Sequence, residues 1–247
     1  MRLKVLCCEV FFREICLLAS NSPHTIDLAF LPKGLHDLGV ERMVPRLQEQ
    51  IDAVPDGEYD TIVLVYGLCN NGIVGLQARD TRLVIARAHD CISLFMGYRQ
   101  RYLDYFNAHP GTYYRTTGWI EHADSTGAGE ETVPQTLGLS LKYEELVAKY
   151  GEDNAKYIWE TLGDQTQHYD RLAYIRMGLA CEDPFCEQAR QEAEEKGWAF
   201  DEIEGSMALL RKLIHGEWDE DILTLEPGQT VQPTHDHCII RGIEKTI

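Results

Sequence analysis

Short apolar runs alternate along this chain with polar stretches of helical period. "LKVLCC" (3–8), "TIDLAFL" (25–31), "YDTIVLVYG" (59–67) and "TRLVIARA" (81–88) read as strands. The third is apolar on both faces, which marks a strand from the middle of a parallel sheet. Between them, "FFREICLLAS" (11–20) and "GVERMVPRLQEQIDAV" (39–54) carry apolar residues every three or four positions, the spacing of an amphipathic helix. Pro45 falls either in the first turn of the second helix or at a kink. A further helix is expected over 92–108, "ISLFMGYRQRYLDYFNA", stopping before "HPG".

The rhythm then breaks. "ADSTGAGEETVPQT" (123–136) is polar and Gly-rich, the composition of a loop or boundary. Two short helices are expected after it, the first capped by Ser140 and ending at Gly151, the second ending at Gly163. The α/β alternation resumes with a strand in "RLAYIRMG" (171–178). A helix in "DPFCEQARQEAEEKG" (183–197) follows, with Asp183 as N-cap, Pro184 at its first position and Gly197 past its end. "WAFDEIEG", "SMALLRKLIHG" and "DILTLEPG" add strand, helix and strand. The pattern predicts an α/β fold with a Rossmann-like, doubly wound parallel sheet. Residues 1–124 form one α/β half, 125–168 a loop and helical connector, and 169–247 a second α/β half.

Composition narrows the function. The chain has 247 residues, 44% of them apolar, enough for a substantial core. Its formal charge of −17 repels phosphate backbones and argues against a nucleic-acid partner. No apolar run approaches the ~20 residues of a membrane span. The opening "MRLKVLCCEVFFREICLLAS" resembles a signal peptide only superficially, because Arg13 and Glu14 interrupt it, so a cytoplasmic location is expected. The eight cysteines should then be free thiols, and none forms a CxxC pair. Cys16, among Ile15, Leu17 and Leu18, reads as core.

In an open parallel sheet, ligands bind beyond the carboxyl ends of the strands. The first predicted strand ends at Cys7 and Cys8. The second runs into "LPKGLHD" and delivers His36. The third ends at Tyr66 and Gly67, followed by Cys69. The fourth ends in Arg87, His89, Asp90 and Cys91. Four successive strands thus bring thiols and imidazoles to one rim. Cys8, Cys69, His89 and Cys91 make a metal-ligand set suited to zinc, which accepts sulfur and nitrogen. His89 and Cys91, two apart in extended chain, point to the same side. Asp90 would cap the following helix or orient a ligand. His36 is a spare ligand or acid/base group, and Arg87 is available for an anionic small-molecule substrate.

Other chemistries remain open at this point. Iron or an iron–sulfur cluster needs three or four cysteines, and Cys8, Cys69 and Cys91 supply three, with Cys181 and Cys186 as further candidates. A metal-free nucleophile could be Cys91, next to a helix N-terminus and a histidine. "GLCNNGIVG" (67–75), with Gly67, Asn70 and Gly72, could hold a cofactor phosphate if a helix followed it. It lacks the nucleotide-binding glycine patterns. "PGTYYRTTGWIE" (110–121) offers aromatic surface for a ligand pocket. "THDHC" near the end has ligand-like composition. All of these residues could also be ordinary packing, with cysteines acting as small core hydrophobes.

"CCEVFFREI", "LVYGLCNNGIVGL", "RAHDCISLFMGYRQRY", "PGTYYRTTGWIE" and "GEWDEDILTLEPG" together resemble the bacterial and archaeal family called domain of unknown function 1638. The resemblance covers nearly the whole chain, and "YGLC" and "RAHDC" are its most specific parts. It implies that Cys8, rather than Cys7, belongs with His36, Cys69, His89, Asp90 and Cys91. Ala86 stands where the family pattern has proline, a change in backbone stiffness. The resemblance also implies a setting beside corrinoid-dependent methyl transfer, with a corrinoid or a methyltransferase protein as partner. Zinc-dependent thiol methyltransferases on a different fold use an H-x-C pair with a further cysteine, as His89, Cys91 and a third thiol could. The expectation is a metal-dependent enzyme or accessory enzyme. The alternatives are a non-catalytic metal or corrinoid delivery protein and a metal-free cysteine enzyme.

Overall fold

The computed structural model describes residues 1–123, 147, 151–152, 154, 156 and 168–244. Isolated positions apart, the polar 123–136 stretch, the connector 125–168 and the two helices expected between Ser140 and Gly163 lie outside that set.

The chain is a mixed α/β fold built on a mostly parallel central sheet, as the alternation of apolar runs predicts. Strands β1 (Arg2–Cys8), β2 (Thr25–Leu31), β3 (Thr61–Val65) and β4 (Leu83–Ala86) lie in the order β2-β1-β3-β4, all parallel. Every residue of β3 and β4 is buried, which explains their unbroken apolar sequence. Helix α1 (Phe12–Ser20) links β1 to β2, and α2 (Val40–Asp52) links β2 to β3. Pro45 lies inside α2. A 3₁₀ turn, Lys33–Leu38, carries His36 between β2 and α2.

The helix expected over 92–108 is two helices, α3 (Cys91–Met96) and α4 (Arg99–Ala108). Gly97 breaks it at φ 76°, and a Cβ there would lie 2.5 Å from the Ser206 Cβ. The aromatic stretch after it forms β5 (Thr112–Arg115) and a short helix α5 (Thr117–Glu121). With β6 (Arg171–Arg176) and β7 (Ala199–Glu204), β5 makes a second parallel sheet in the order β5-β6-β7. Helix α6 (Glu182–Lys196) packs on β6 and β7. Asp183 is not its N-cap: the helix starts two residues earlier than expected, at Glu182 after the N-cap Cys181, and Asp183 pairs with Arg176 at 2.8 Å.

Sheet membership crosses the division into 1–124 and 169–247. Strand β8 (Ile222–Leu225) joins the first sheet, antiparallel to β4, so the parallel sheet has an antiparallel edge. Helix α7 (Ala208–His215) packs on α1 and on β3 and β4. Its apolar face, Leu209, Leu210, Leu213 and Ile214, is buried in the main core. The tail adds a hairpin absent from the sequence reading, β9 (Gln229–Pro233) with β10 (Ile240–Glu244).

Candidate functional site

The carboxyl ends of β3 and β4 continue side by side past the strands themselves. The Leu68 amide donates to the Ala88 carbonyl, and the Cys69 amide to the His89 carbonyl, both at 2.8 Å. This close approach needs Gly67, where a Cβ would lie 2.7 Å from the Asp90 Cα. The chain then turns through Cys69 (φ 44°), Asn70 (φ 54°) and Asn71 (φ 69°), three successive non-glycine residues in the left-handed region. Each such residue costs of order 1–3 kcal/mol unless its surroundings hold it, and strain of this kind gathers at functional sites. Gly72 closes the turn against Met43, whose sulfur would lie 2.6 Å from an added Cβ.

Beyond these ends opens a cavity of about 660 Å³ lined by His36, Met43, Cys69, His89, Cys91 and Trp119, among others. Among the described residues, no lysine or arginine lines it. Cys8 is buried at 2% exposure under the same rim. Its charge acts on the thiols of Cys69 and Cys91, and that of Cys69 acts on Cys91. Burial pushes the Cys8 and Cys69 thiols up to about 12, and the Cys91 thiol also well above its ordinary value. The Tyr66 hydroxyl and the Trp119 Nε1 are buried without a hydrogen-bonding partner. Each is close enough to a sulfur, Tyr66 to Cys8 and Trp119 to Cys91, to favour its thiolate. Trp119 is held there because Gly118 lies directly on the β1–α1 turn, where a Cβ would meet the Val10 carbonyl oxygen at 1.8 Å.

The His36 ring lies tilted against the Tyr66 ring, 5.6 Å between centroids, and burial, with Lys33 nearby, lowers its pKa to about 4. It therefore presents a neutral imidazole to the cavity. Asp90 caps α3: Oδ1 accepts from the Ser93 amide and hydroxyl at 2.8 and 2.9 Å. Its Oδ2 accepts from the Tyr102 hydroxyl at 3.0 Å. With both oxygens engaged, Asp90 fixes the His89–Cys91 segment in place, which is a positioning role.

A family described as "Protein of unknown function (DUF1638)" matches residues 30–214. The chain belongs to the DUF1638 family. No curated protein and no solved structure matches it significantly. The matched stretch of the DUF1638 chain holds His36, Cys69, His89, Cys91 and Trp119, while Cys8 precedes it and the β9–β10 turn follows it.

Three expectations for this DUF1638 member are corrected. Arg87 does not face the cavity; its guanidinium donates to the carbonyls of Cys238, at 3.1 Å, and Ile240. No helix follows the Gly/Asn-rich stretch, so the helix N-terminus expected there for a phosphate does not exist. Gly67 and Gly72 serve close backbone and side-chain approach, and Asn70 alone of the three lines the cavity. Cys186 packs with Leu172, Tyr174 and Ala189 in a small separate cluster under α6, so it is no ligand at this rim.

The donors at the rim fit a zinc-type ion in kind: three thiols, neutral imidazole, and two orphaned donors facing sulfur. In separation they are looser than a closed centre. Among the described residues, the ligand atoms of three groups approach within 4.8 Å of one another at Asp236, His237 and Cys238 instead. Trp119 is the functional-site residue least visible beforehand; its aromatic stretch was a signal, its contact with Cys91 was not.

Proposed function

We propose that this DUF1638 chain is a metal-dependent enzyme, with zinc the best-suited ion, held by Cys8, Cys69, His89 and Cys91. One observation carries the reading. Cys69 and Cys91 line a cavity that has no cationic side chain among the described residues, Cys8 is buried close to both with only Lys33 as a nearby cation, and burial raises all three thiols above their ordinary range. Something positive must arrive before they can act as thiolates. A bound divalent ion supplies that charge, and stabilises sulfur as thiolate at neutral pH. Tyr66 and Trp119 then donate to sulfur, Asp90 holds the His89–Cys91 segment, and His36 offers a neutral imidazole to ligate or to take a proton. The open cavity supports an enzyme acting on a small molecule over a closed delivery site. The raised thiol pKa values speak against a nucleophile working without metal. Thiol or methyl transfer linked to corrinoid chemistry, with a corrinoid or methyltransferase partner, follows from the family resemblance and belongs to the same proposal.

The test is elemental analysis of anaerobically purified protein beside Cys69→Ser and Cys91→Ser. About one zinc or iron per chain in the wild type, lost in both variants, is the expected result. Wild-type protein that is metal-free and also refuses added zinc or iron overturns the reading.

A further inference from the structure

The β9–β10 turn brings together groups that the proposed site does not use. Three residues adjacent in sequence seldom aim at one point, because successive side chains in extended chain alternate. Here a tight turn converges them: a carboxylate oxygen of Asp236, a ring nitrogen of His237 and the Cys238 sulfur lie within 4.8 Å of one another. Asp236 Oδ1 accepts from the Thr234 hydroxyl and from the Cys238 amide, both at 2.8 Å. Both bonds fall on Oδ1 and fix the carboxylate in the turn, and neither uses Oδ2.

The turn is held from both sides. Ile239 has φ 63°, a conformation that a β-branched residue adopts only under constraint, and its side chain is buried at 1% exposure. Arg87, at the end of β4, clamps the carbonyls of Cys238 and Ile240. The arginine thus anchors this turn to the segment that carries His89. Asp236 and His237 are exposed and Cys238 half-buried, so water can complete a coordination shell.

We propose that Asp236, His237 and Cys238 form a second metal site, open to solvent, for a divalent transition ion. The chemistry of the set selects the ion. Thiolate with imidazole disfavours magnesium and calcium and suits zinc, cobalt, nickel or copper. Ionised aspartate and thiolate balance the two positive charges. Three protein ligands with water in the remaining positions make an exchangeable site that binds more weakly than an enclosed one.

The experiment uses the full, untagged chain, reduced, stripped of metal and kept anaerobic. Cobalt(II) uptake is measured by equilibrium dialysis, with the cobalt–thiolate absorption as a second readout. Compared with the wild type, His237→Gln and Cys238→Ser are each expected to lose one equivalent of cobalt, and Cys69→Ser to retain it. Uptake in both turn variants equal to the wild type overturns the proposal. The two sites fail separately: if the cavity takes no metal, the wild type still binds one equivalent, and His237→Gln abolishes it.

Discussion

Gly67 lies against Asp90 so closely that a single methyl group cannot be fitted between them: a Cβ on Gly67 would stand 2.7 Å from both the Cα and the carbonyl carbon of Asp90. The contact is backbone on backbone, so no side chain can swing aside. Gly67→Ala is therefore expected to push the His89–Cys91 segment off the end of β3, costing about 1–3 kcal/mol. Urea unfolding measures that cost. Elemental analysis of the same variant should show metal lost from the cavity even though all four proposed ligands remain.

A second prediction concerns Glu14, on α1. It is 1% exposed, and neither carboxylate oxygen has a hydrogen-bonding partner. Burial, reinforced by the charges of Glu182 and Glu121 and opposed by Arg13, raises its pKa from 4.5 to about 7. Between those values the folded chain keeps a proton that the unfolded chain has released, so Glu14 makes stability fall as pH rises. At about 1.4 kcal/mol per pH unit, the fall is on the order of 3 kcal/mol. Glu14→Gln should match the wild type near pH 4.5 and gain on it by about that much at pH 8. Urea titrations at the two pH values check it, and an advantage independent of pH counts against it.

His36 should act in the opposite sense. Its folded pKa of about 4 lies below the ordinary 6.5, so the unfolded chain takes up a proton first as the solution is acidified. Its contribution is complete above pH 6.5 and is lost as pH falls toward 4. His36→Gln should remove this acid sensitivity, on the order of 3 kcal/mol across the window. The variant should therefore match the wild type near pH 7 and gain on it by about that much at pH 4, in the same urea assay. Over pH 4.5–6.5 the slopes from Glu14 and His36 oppose each other, so each single variant exposes the other residue's titration.

Arg87→Met should leave the cavity's metal content unchanged, because Arg87 points away from it. It removes two charge-assisted bonds to the Cys238 and Ile240 carbonyls, worth about 2 kcal/mol together after allowing for partial exposure. Hydrogen exchange at the amides of residues 234–240 should quicken, while exchange in β3 and β4 holds. A change in substrate affinity with unchanged exchange would return Arg87 to the substrate role read from the sequence.

Thiol labelling of the metal-free chain at neutral pH should discriminate among the cysteines. Cys181 and Cys238, both half-buried, should alkylate first. Cys8 and Cys91 should lag, because burial raises both thiols. Rapid labelling of Cys91 would point instead to a nucleophile that works unaided. Peptide mass spectrometry resolves the order.

How much of this could be read beforehand depends on where the controlling contacts are. β3 and β4 were legible because a strand buried on both faces is a bare apolar run, β1 and β2 because their short β-prone runs precede helical spacing, and the rim residues followed from the strand ends. The break at Gly97 was not legible. Apolar spacing runs unbroken from Leu94 to Tyr105, and the reason for the break is Ser206, more than a hundred residues away. β5 is four residues long and pairs with β6 some sixty residues on, so local alternation is too short to announce it. Arg87 misled because its partners are backbone carbonyls, which no side-chain pattern reveals. The left-handed run at Cys69–Asn71 had a partial signal in its asparagines, which tolerate that conformation.

The antiparallel edge strand has a consequence for how the protein is born. Strand β4, whose end carries His89 and Cys91, is sealed on its outer side by Ile222–Leu225. As the chain leaves the ribosome, those residues emerge well over a hundred positions after β4, and until then its edge stands open to any strand it meets. The corner that carries His89 and Cys91 is thus finished late, by the last strand of that sheet to be made. A ribosome-bound nascent chain halted before residue 222 should have every rim cysteine in hand while the outer edge of β4 is still unpaired, so the order of synthesis leaves the sealing of that edge to the end.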